Sequence, residues 1–389
     1  MAPVIAMVAG ESSGDQLAAH LIRAIRVHLP DAGFYGIGGP RMQAEGFEAL
    51  WPMDLLSVHG YVDAIRRYRT LSSIRRQLLA KVLHSRPAAF IGVDAPDFNL
   101  WLEARIKGDD IPAIHFVSPS IWAWRGGRIR NIARSVTRML CLFPFEAPIY
   151  ERAGIPVTFV GHPFADALPL HPDRAAARER LGLPPQAKII ALLPGSRESE
   201  VRNLAERFIA TAALLAERHP DALFLVPLAT RETRELFVAA LHHSKQRELP
   251  LRMLFGHAVD GMTAADVVLV ASGTASLEAA LLKRPMVISY RMGKWQYRLL
   301  KRMAYLPWVG LPNILSEACV VPELLQDEAT PQALADAIER WLNDPAACAA
   351  LTERFTALHQ TLRCDAAARA AEAILPYLQE SLGSRHDRR

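Results

Sequence analysis

Cysteine is scarce: Cys141, Cys319, Cys348 and Cys364 are the only four, and none stands in a CxxC or other metal-ligand spacing. That argues against a disulfide framework and fits a reducing compartment. Long apolar runs are missing as well. No stretch approaches the roughly 18–20 residues needed to span a bilayer. The first eight residues, MAPVIAMV, lack the basic start and cleavage site of a secretion signal and suit a first strand instead. The expected protein is soluble or peripheral, and cytoplasmic. There is no Asp-x-Asp of the kind that holds a divalent metal for sugar-nucleotide transfer, no HExxH and no Walker lysine pattern. Neither glycine-rich stretch, GESSGD or GIGGPR, has the G-x-G-x-x-G spacing, which disfavours dinucleotide binding. The expectation is chemistry without a metal and without a cofactor.

What is present supports two cores. With 389 residues, 51% of them hydrophobic and 22% charged, the chain suits two domains of about 150–200 residues each. The formal charge of +5 and a pI near 9.1 suit an anionic partner: a nucleotide, an anionic lipid surface or a nucleic acid.

Short apolar runs alternate with amphipathic stretches, the pattern of parallel α/β layers. Strands are predicted at 4–9, 33–37, 88–93, 113–117, 139–142 and 157–160, and in a second series at 189–193, 223–227, 251–254, 267–271 and 286–289. Helices are predicted at 15–28, 62–83 and 99–106, and three more close the chain at 331–342, 345–362 and 366–382. A Pro- and His-containing linker at 165–172 divides the chain into residues 1–165, 172–345 and a helical remainder at 346–389. The fold class expected is α/β, two Rossmann-like domains with a cleft between them. Ligands of such sheets bind beyond the carboxyl ends of the strands.

Four turns at such positions carry candidate chemistry. Gly10-Glu11-Ser12-Ser13-Gly14-Asp15 follows strand one and opens a helix, so it either receives an anion or holds Ser13 or Asp15 as a simple helix cap. Asp94, in GVDAPDFN, is placed either as a general base for a hydroxyl nucleophile or as a structural turn carboxylate; Asp97 suits a cap for the helix after Pro96. In LLPGSR, Ser196 can cap a helix while Arg197 offers a forked cation to a phosphate. In ASGTASLE, Ser272, Gly273 and Thr274 let a backbone approach a diphosphate, and Glu278 lies one turn on, within reach of a ribose diol. Residues 61–79 form an apolar stripe beside Arg66, Arg67, Arg69, Arg75 and Arg76. That is either a membrane-surface helix or a core-facing helix with a solvated basic face. Phe116, Trp122 and Trp124 either line an apolar acyl pocket or belong to the core. No nucleic-acid-binding module is evident, so a nucleic-acid partner ranks last.

Taken in order, GESSGD, GIGGPRMQAEG, GVDAPDFN, HFVSPSIWAWR, LCLFPFE, FVGHP, LLPGSR, ASGTASLE, LPNIL and VPELLQ resemble the lipid-A-disaccharide synthase family from about residue 4 to about residue 330. The resemblance implies a B-type (GT-B) glycosyltransferase fold. It implies a reaction of UDP-2,3-diacylglucosamine with 2,3-diacylglucosamine 1-phosphate that yields a β-1,6 disaccharide 1-phosphate and UDP. It also implies peripheral work on the anionic cytoplasmic face of the bacterial inner membrane. On the matching positions, Asp94 corresponds to the general base and Glu11 to a carboxylate near the acceptor. Arg197, Ser196, Ser272, Gly273, Thr274, Glu278 and Asn313 fall on the donor side. The stretch with Tyr61, Val62, Ile65, Arg66, Arg67, Tyr68 and Arg69 becomes the expected membrane contact. One departure stands before it: the family's Met-Gly-x-x-Glu reads His59-Gly60-Tyr61-Val62-Asp63 here, which leaves any role of Asp63 open. The alternatives are another B-type UDP-sugar enzyme, such as a UDP-GlcNAc epimerase or transferase, and a non-enzymatic nucleotide-binding protein. Oligomeric state and acyl-chain length have no signature in the sequence.

Overall fold

The computed structural model describes residues 2–56, 61–123, 126–246, 248–303 and 305–386, without the side chains of 61–68, 294, 299, 300 and 381–386. Expectations placed on His59, Gly60 and Trp124, and on the side chains of Tyr61, Val62, Asp63, Ile65, Arg66, Arg67 and Tyr68, lie outside the described residues. The chain divides into two compact units, one of Met1–Asp166 with Leu362–Arg389 and one of Ala167–Thr361.

The first unit is built on seven strands: β1 Val4–Ala9, β2 Gly33–Gly38, β3 Phe47–Pro52, β4 Ala89–Val93, β5 Ala113–Phe116, β6 Arg138–Cys141 and β7 Val157–Phe159. Their order is β3-β2-β1-β4-β5-β6-β7, and every pairing is parallel. A parallel sheet is covered on both faces and so needs unbroken apolar strands. β1 reads VIAMVA and β4 reads AFIGV, and all but Val4 of these residues are buried. The second unit repeats the plan with β8 Lys188–Leu193, β9 Ala222–Leu228, β10 Leu251–Phe255, β11 Val267–Ala271, β12 Met286–Tyr290 and β13 Glu323–Leu325, in the order β10-β9-β8-β11-β12-β13. Each sheet reverses its winding once, at β1/β4 and at β8/β11. A crevice opens beyond the carboxyl ends at such a point.

Two strands carry no sequence signal. β3 reads FEALWP with only Phe47 buried and a closing proline, the composition of an edge. β13 has three half-buried residues, too few for any period.

The helices Pro331–Asn343, Pro345–Leu362 and Ala366–His386 end the described chain, and the unit boundary falls at the last residue of the second of them. The segment expected as a separate remainder from 346 is therefore divided: its first part belongs to the second unit, its last helix to the first. Asp166 fixes that return, accepting from the backbone N–H groups of Asp365 (2.9 Å) and Ala366 (2.7 Å). Ala366, Ala370, Ile374 and Leu378, spaced at helical period, then enter one core with Leu21, Ile22 and Ile25 of the helix Ser12–His28. Among the described residues no helix is long and apolar enough to cross a membrane.

Candidate active site

At the first switch point a pocket of about 460 Å³ is lined by Gly10 and Glu11 after β1, by Asp94, Ala95, Pro96, Asp97 and Phe98 after β4, and by Leu56, Leu71, Ser72 and Arg75. Asp94 and Ala95 are consecutive non-glycine residues in the left-handed region, with φ of 52° and 44°. Each such residue costs roughly 1–2 kcal/mol, so the surroundings must over-determine the turn. They do: the Asp94 N–H donates to Phe116 O (2.8 Å), the N–H groups of Phe98 and Asn99 both donate to Ala95 O (3.0 Å), and Asn99 Nδ2 donates to Asp94 O (2.8 Å).

Beneath this turn lies a fully buried polar group. Asn99 and Glu103 share one face of the helix Pro96–Lys107, and Glu103 Oε1 meets His115 Nδ1 at 2.7 Å. Burial pushes the Glu103 carboxyl up, while His115 beside it pulls the other way. Gly92 makes the space, because a Cβ there would stand 2.2 Å from Glu103 Oε1 and 2.8 Å from Asn99 Cβ.

Two expected caps are used differently. Asp15 does not cap its own helix, whose N-cap is Glu11 with no side-chain cap bond. It is buried and accepts instead from the N–H groups of Gly39 (2.9 Å), Arg41 (3.0 Å) and Met42 (3.1 Å), and so holds the start of the helix Pro40–Ala44. Asp97 lies in the first turn of its helix, pairs with Arg128, and leaves the N-cap position to Ala95.

At the second switch point a pocket of about 500 Å³ gathers Gly195, Ser196, Arg197 and Glu200 after β8, Pro227 to Ala229 after β9, Ser272, Gly273, Thr274 and Glu278 after β11, and Tyr290 at the end of β12. Two of the helices that begin here differ at their N-termini. The helix Glu198–Arg218 is closed by its own carboxylate: Glu200 Oε2 accepts from the N–H groups of Ser196 (3.0 Å) and Arg197 (3.3 Å). Arg197, not Ser196, holds the N-cap position. Gly195, at φ 127°, is required there, since a Cβ would stand 2.4 Å from Glu200 Cβ. The helix Thr274–Leu281 has Gly273 at its N-cap, no side-chain cap bond and no acidic residue in its first turn. Its partial positive end is thus open to an anion. Glu278 sits one turn in, and burial pushes its carboxyl up to about 7.

Asn313 lies outside this pocket, and all four hydrogen-bonding positions of its buried amide are occupied. It donates to Val321 O (2.9 Å) and Glu323 Oε1 (2.8 Å) and accepts from the N–H groups of Val320 and Val321. Glu323 in turn accepts from the N–H groups of Val309 and Gly310, so Asn313 braces the segment whose Val309 carbonyl receives the Ser272 hydroxyl. Phe116 is buried in the first core, and Trp122 donates to the buried Glu146 (3.1 Å). Neither lines the first pocket. Of the expected membrane stripe, Arg69 is exposed, whereas Ile74 and Leu78 pack into the core, as does Val82 just beyond it, so the second half of the helix Tyr61–Ser85 is core-facing. Leu56, Arg75 and Tyr290 line the pockets without having been singled out as pocket residues. The one available signal for Tyr290 was its place at a strand's carboxyl end. Among the described residues no group of three or more His, Cys, Asp or Glu converges to hold a metal.

Comparison with known proteins gives the frame for these two pockets. The family model for lipid-A-disaccharide synthetase matches residues 5–374. The lipid-A-disaccharide synthase of Azoarcus sp. (strain BH72) is 76% identical over 381 residues, covering 98% of this chain and 97% of that one. The corresponding protein of Dechloromonas aromatica is 56% identical, covering 96% and 98%. Among solved structures, the glycotransferase of kitacinnamycin matches with a TM-score of 0.60 at 18% identity, covering 96% of this chain and 99% of that one. The UDP-GlcNAc 2-epimerase of Neisseria meningitidis bound to UDP-GlcNAc matches with 0.58 at 12%, covering 97% and 99%. These structural likenesses show the GT-B fold that glycosyltransferases share with such epimerases, while the sequence matches decide between the two: the chain belongs to the lipid-A-disaccharide synthase family of glycosyltransferases.

Proposed function

We propose that this enzyme transfers 2,3-diacylglucosamine from its UDP ester to the 6-hydroxyl of 2,3-diacylglucosamine 1-phosphate with inversion, releasing the β-1,6 disaccharide 1-phosphate and UDP. The observation that carries the reading is Asp94, a carboxylate on a doubly left-handed turn that lines the first switch-point pocket. Asp94 accepts the proton of the 6-hydroxyl as that oxygen bonds to the anomeric carbon. The bond from that carbon to the UDP oxygen breaks, and the electron pair leaves with UDP. Glu11, in the same pocket, accepts from other acceptor hydroxyls. Charge growing on the diphosphate is met by the uncapped helix start at Gly273–Thr274 and by the exposed Arg197, with Ser196 and Ser272 beside them. A fold relative bound to UDP-GlcNAc supports a UDP-sugar as the donor. The acylated substrates bring the enzyme to the cytoplasmic face of the inner membrane, with Arg69 and its neighbours at 61–68 as one contact.

The test is an assay in detergent and chelator with both acylated substrates. Disaccharide and UDP appearing in equal amounts is the expected result. An intact protein that binds UDP but forms no disaccharide would sink the reading.

Glu278 adds a pH dependence. Its ordinary value is 4.5 and its folded value about 7. Below about 4.5 the carboxyl is protonated in both folded and unfolded chains and costs nothing. As pH rises from there through 7 the unfolded chain ionises first, so the apo protein loses stability across that window. A ribose diol donating to the carboxylate favours the ionised form. UDP binding is therefore expected to tighten as pH rises through 7 and to release a proton from Glu278. Calorimetry in buffers of differing ionisation enthalpy measures that proton, and Glu278→Gln serves as the reference. Equal proton release by the variant would remove the ribose role.

A further inference from the structure

We infer that the stretch from the helix Lys294–Met303 to Val309 is a bilayer-docking surface carried by the second unit, built for anionic lipid. Trp295 is 81% exposed, Tyr305 63% and Val309 44%, three large apolar side chains in solvent within one short segment. Single exposed hydrophobes are ordinary, but a group of them marks a contact surface. Along the sequence the charge of this stretch has one sign: from Tyr290 to Ser316 there is no Asp or Glu, while five Lys or Arg residues fall in the same interval. One carboxylate reaches it from elsewhere, Glu323, which accepts from the N–H groups of Val309 and Gly310. Arg298, Lys301 and Arg302 are exposed.

Helical spacing places Arg298, Lys301 and Arg302 on one side and Met303 on the other, with Trp295 at the border. The Arg298 guanidinium lies 5.4 Å from the Trp295 ring centre, and the Lys301 ammonium 6.0 Å from that of Tyr297. Cations beside Trp and Tyr suit the headgroup layer, where the ring enters the acyl boundary and the charge meets lipid phosphate. A nucleic acid would use the cations but leave Val309 and the face of Trp295 without an apolar phase. The lipid surface uses both.

The segment is also tied to the donor pocket. It starts just after Tyr290, which lines that pocket, and its Val309 carbonyl accepts from the Ser272 hydroxyl (3.1 Å). A donor whose acyl chains remain in the bilayer would be met where it lies. This use of the surface rests on the acylated-substrate reading, but docking itself is measurable without substrate.

The experiment is sedimentation of the full chain with extruded vesicles of phosphatidylethanolamine and phosphatidylglycerol (3:1), against phosphatidylcholine vesicles. UDP affinity reports that each variant is folded. Trp295→Ser combined with Tyr305→Ser is expected to lower partitioning about tenfold, and Arg298→Ala roughly fivefold, each with UDP affinity kept. Val27→Ser, an exposed apolar position of the first unit, is expected to leave partitioning unchanged. Variants that pellet like the parent, or a parent that prefers phosphatidylcholine, would overturn the inference. Failure of the glycosyl-transfer reading would show instead in the detergent assay, where no vesicle is present.

Discussion

Asp94→Ala should lower kcat by roughly 10²–10⁴-fold, the contribution of a positioned general base, while leaving UDP affinity within about twofold. The two readouts separate because Asp94 lines the first pocket, whereas Ser196, Arg197, Ser272, Gly273, Thr274 and Glu278, proposed to hold UDP, line the second. Alanine alone confounds the result, however. At a φ of 52° an aspartate tolerates the left-handed region better than alanine does, so Asp94→Ala also relaxes the turn that it shares with Ala95. Asp94→Asn keeps size and left-handed tolerance and removes only the proton acceptor. Both variants are expected to be inactive to a similar degree. An asparagine variant retaining more than about a tenth of the turnover would show that geometry, not basicity, is what this position supplies.

Gly92→Ala should cost about 3 kcal/mol or more of stability and should also depress turnover in whatever protein folds. The new methyl group would overlap Glu103 Oε1 and press on Asn99 Cβ and Cγ. Glu103 cannot withdraw into water, since it and its partner His115 are both fully buried. Separating them would leave a buried carboxyl without its partner, a change that is strongly destabilising. Asn99 cannot shift freely either, because its amide holds the Asp94 carbonyl. Thermal or urea unfolding measures the first effect, and kcat of the folded fraction measures the second. A variant as stable and as active as the parent would mean that the group beneath the turn adapts and does not brace Asp94.

The fold was legible wherever burial leaves a periodic mark. β1, β8 and β11 are apolar runs with turn residues at their ends, and the closing helices show clear helical spacing. β3 and β13 left no mark because edges and very short strands need none. The candidate site was legible as strand ends followed by glycine, acid or hydroxyl residues, which is how Asp94, Glu11 and the Ser272–Glu278 turn came forward. What did not show was who bonds whom across the chain. Asp15 looks like a cap for the helix it begins, yet its partners Gly39, Arg41 and Met42 come from the next crossover. Ser196 looks like a cap until Glu200 takes the donors of that turn. Asn313 looks free to meet a ligand, but Val320, Val321 and Glu323 use its whole amide. The left-handed pair at Asp94–Ala95 was equally hidden, because neither residue is a glycine.

The return of the helix Ala366–His386 onto the helix Ser12–His28 sets an order of events during synthesis. The Ala167–Thr361 unit is a single stretch of chain and can complete its core as soon as that stretch has left the ribosome. The unit translated first cannot. It must wait, with the core that holds Leu21, Ile22 and Ile25 incomplete, until Ala366, Ala370, Ile374 and Leu378 have been made. The half of the protein that carries Asp94 is thus begun first and finished last, and throughout elongation its open apolar face is the natural target for a holdase chaperone.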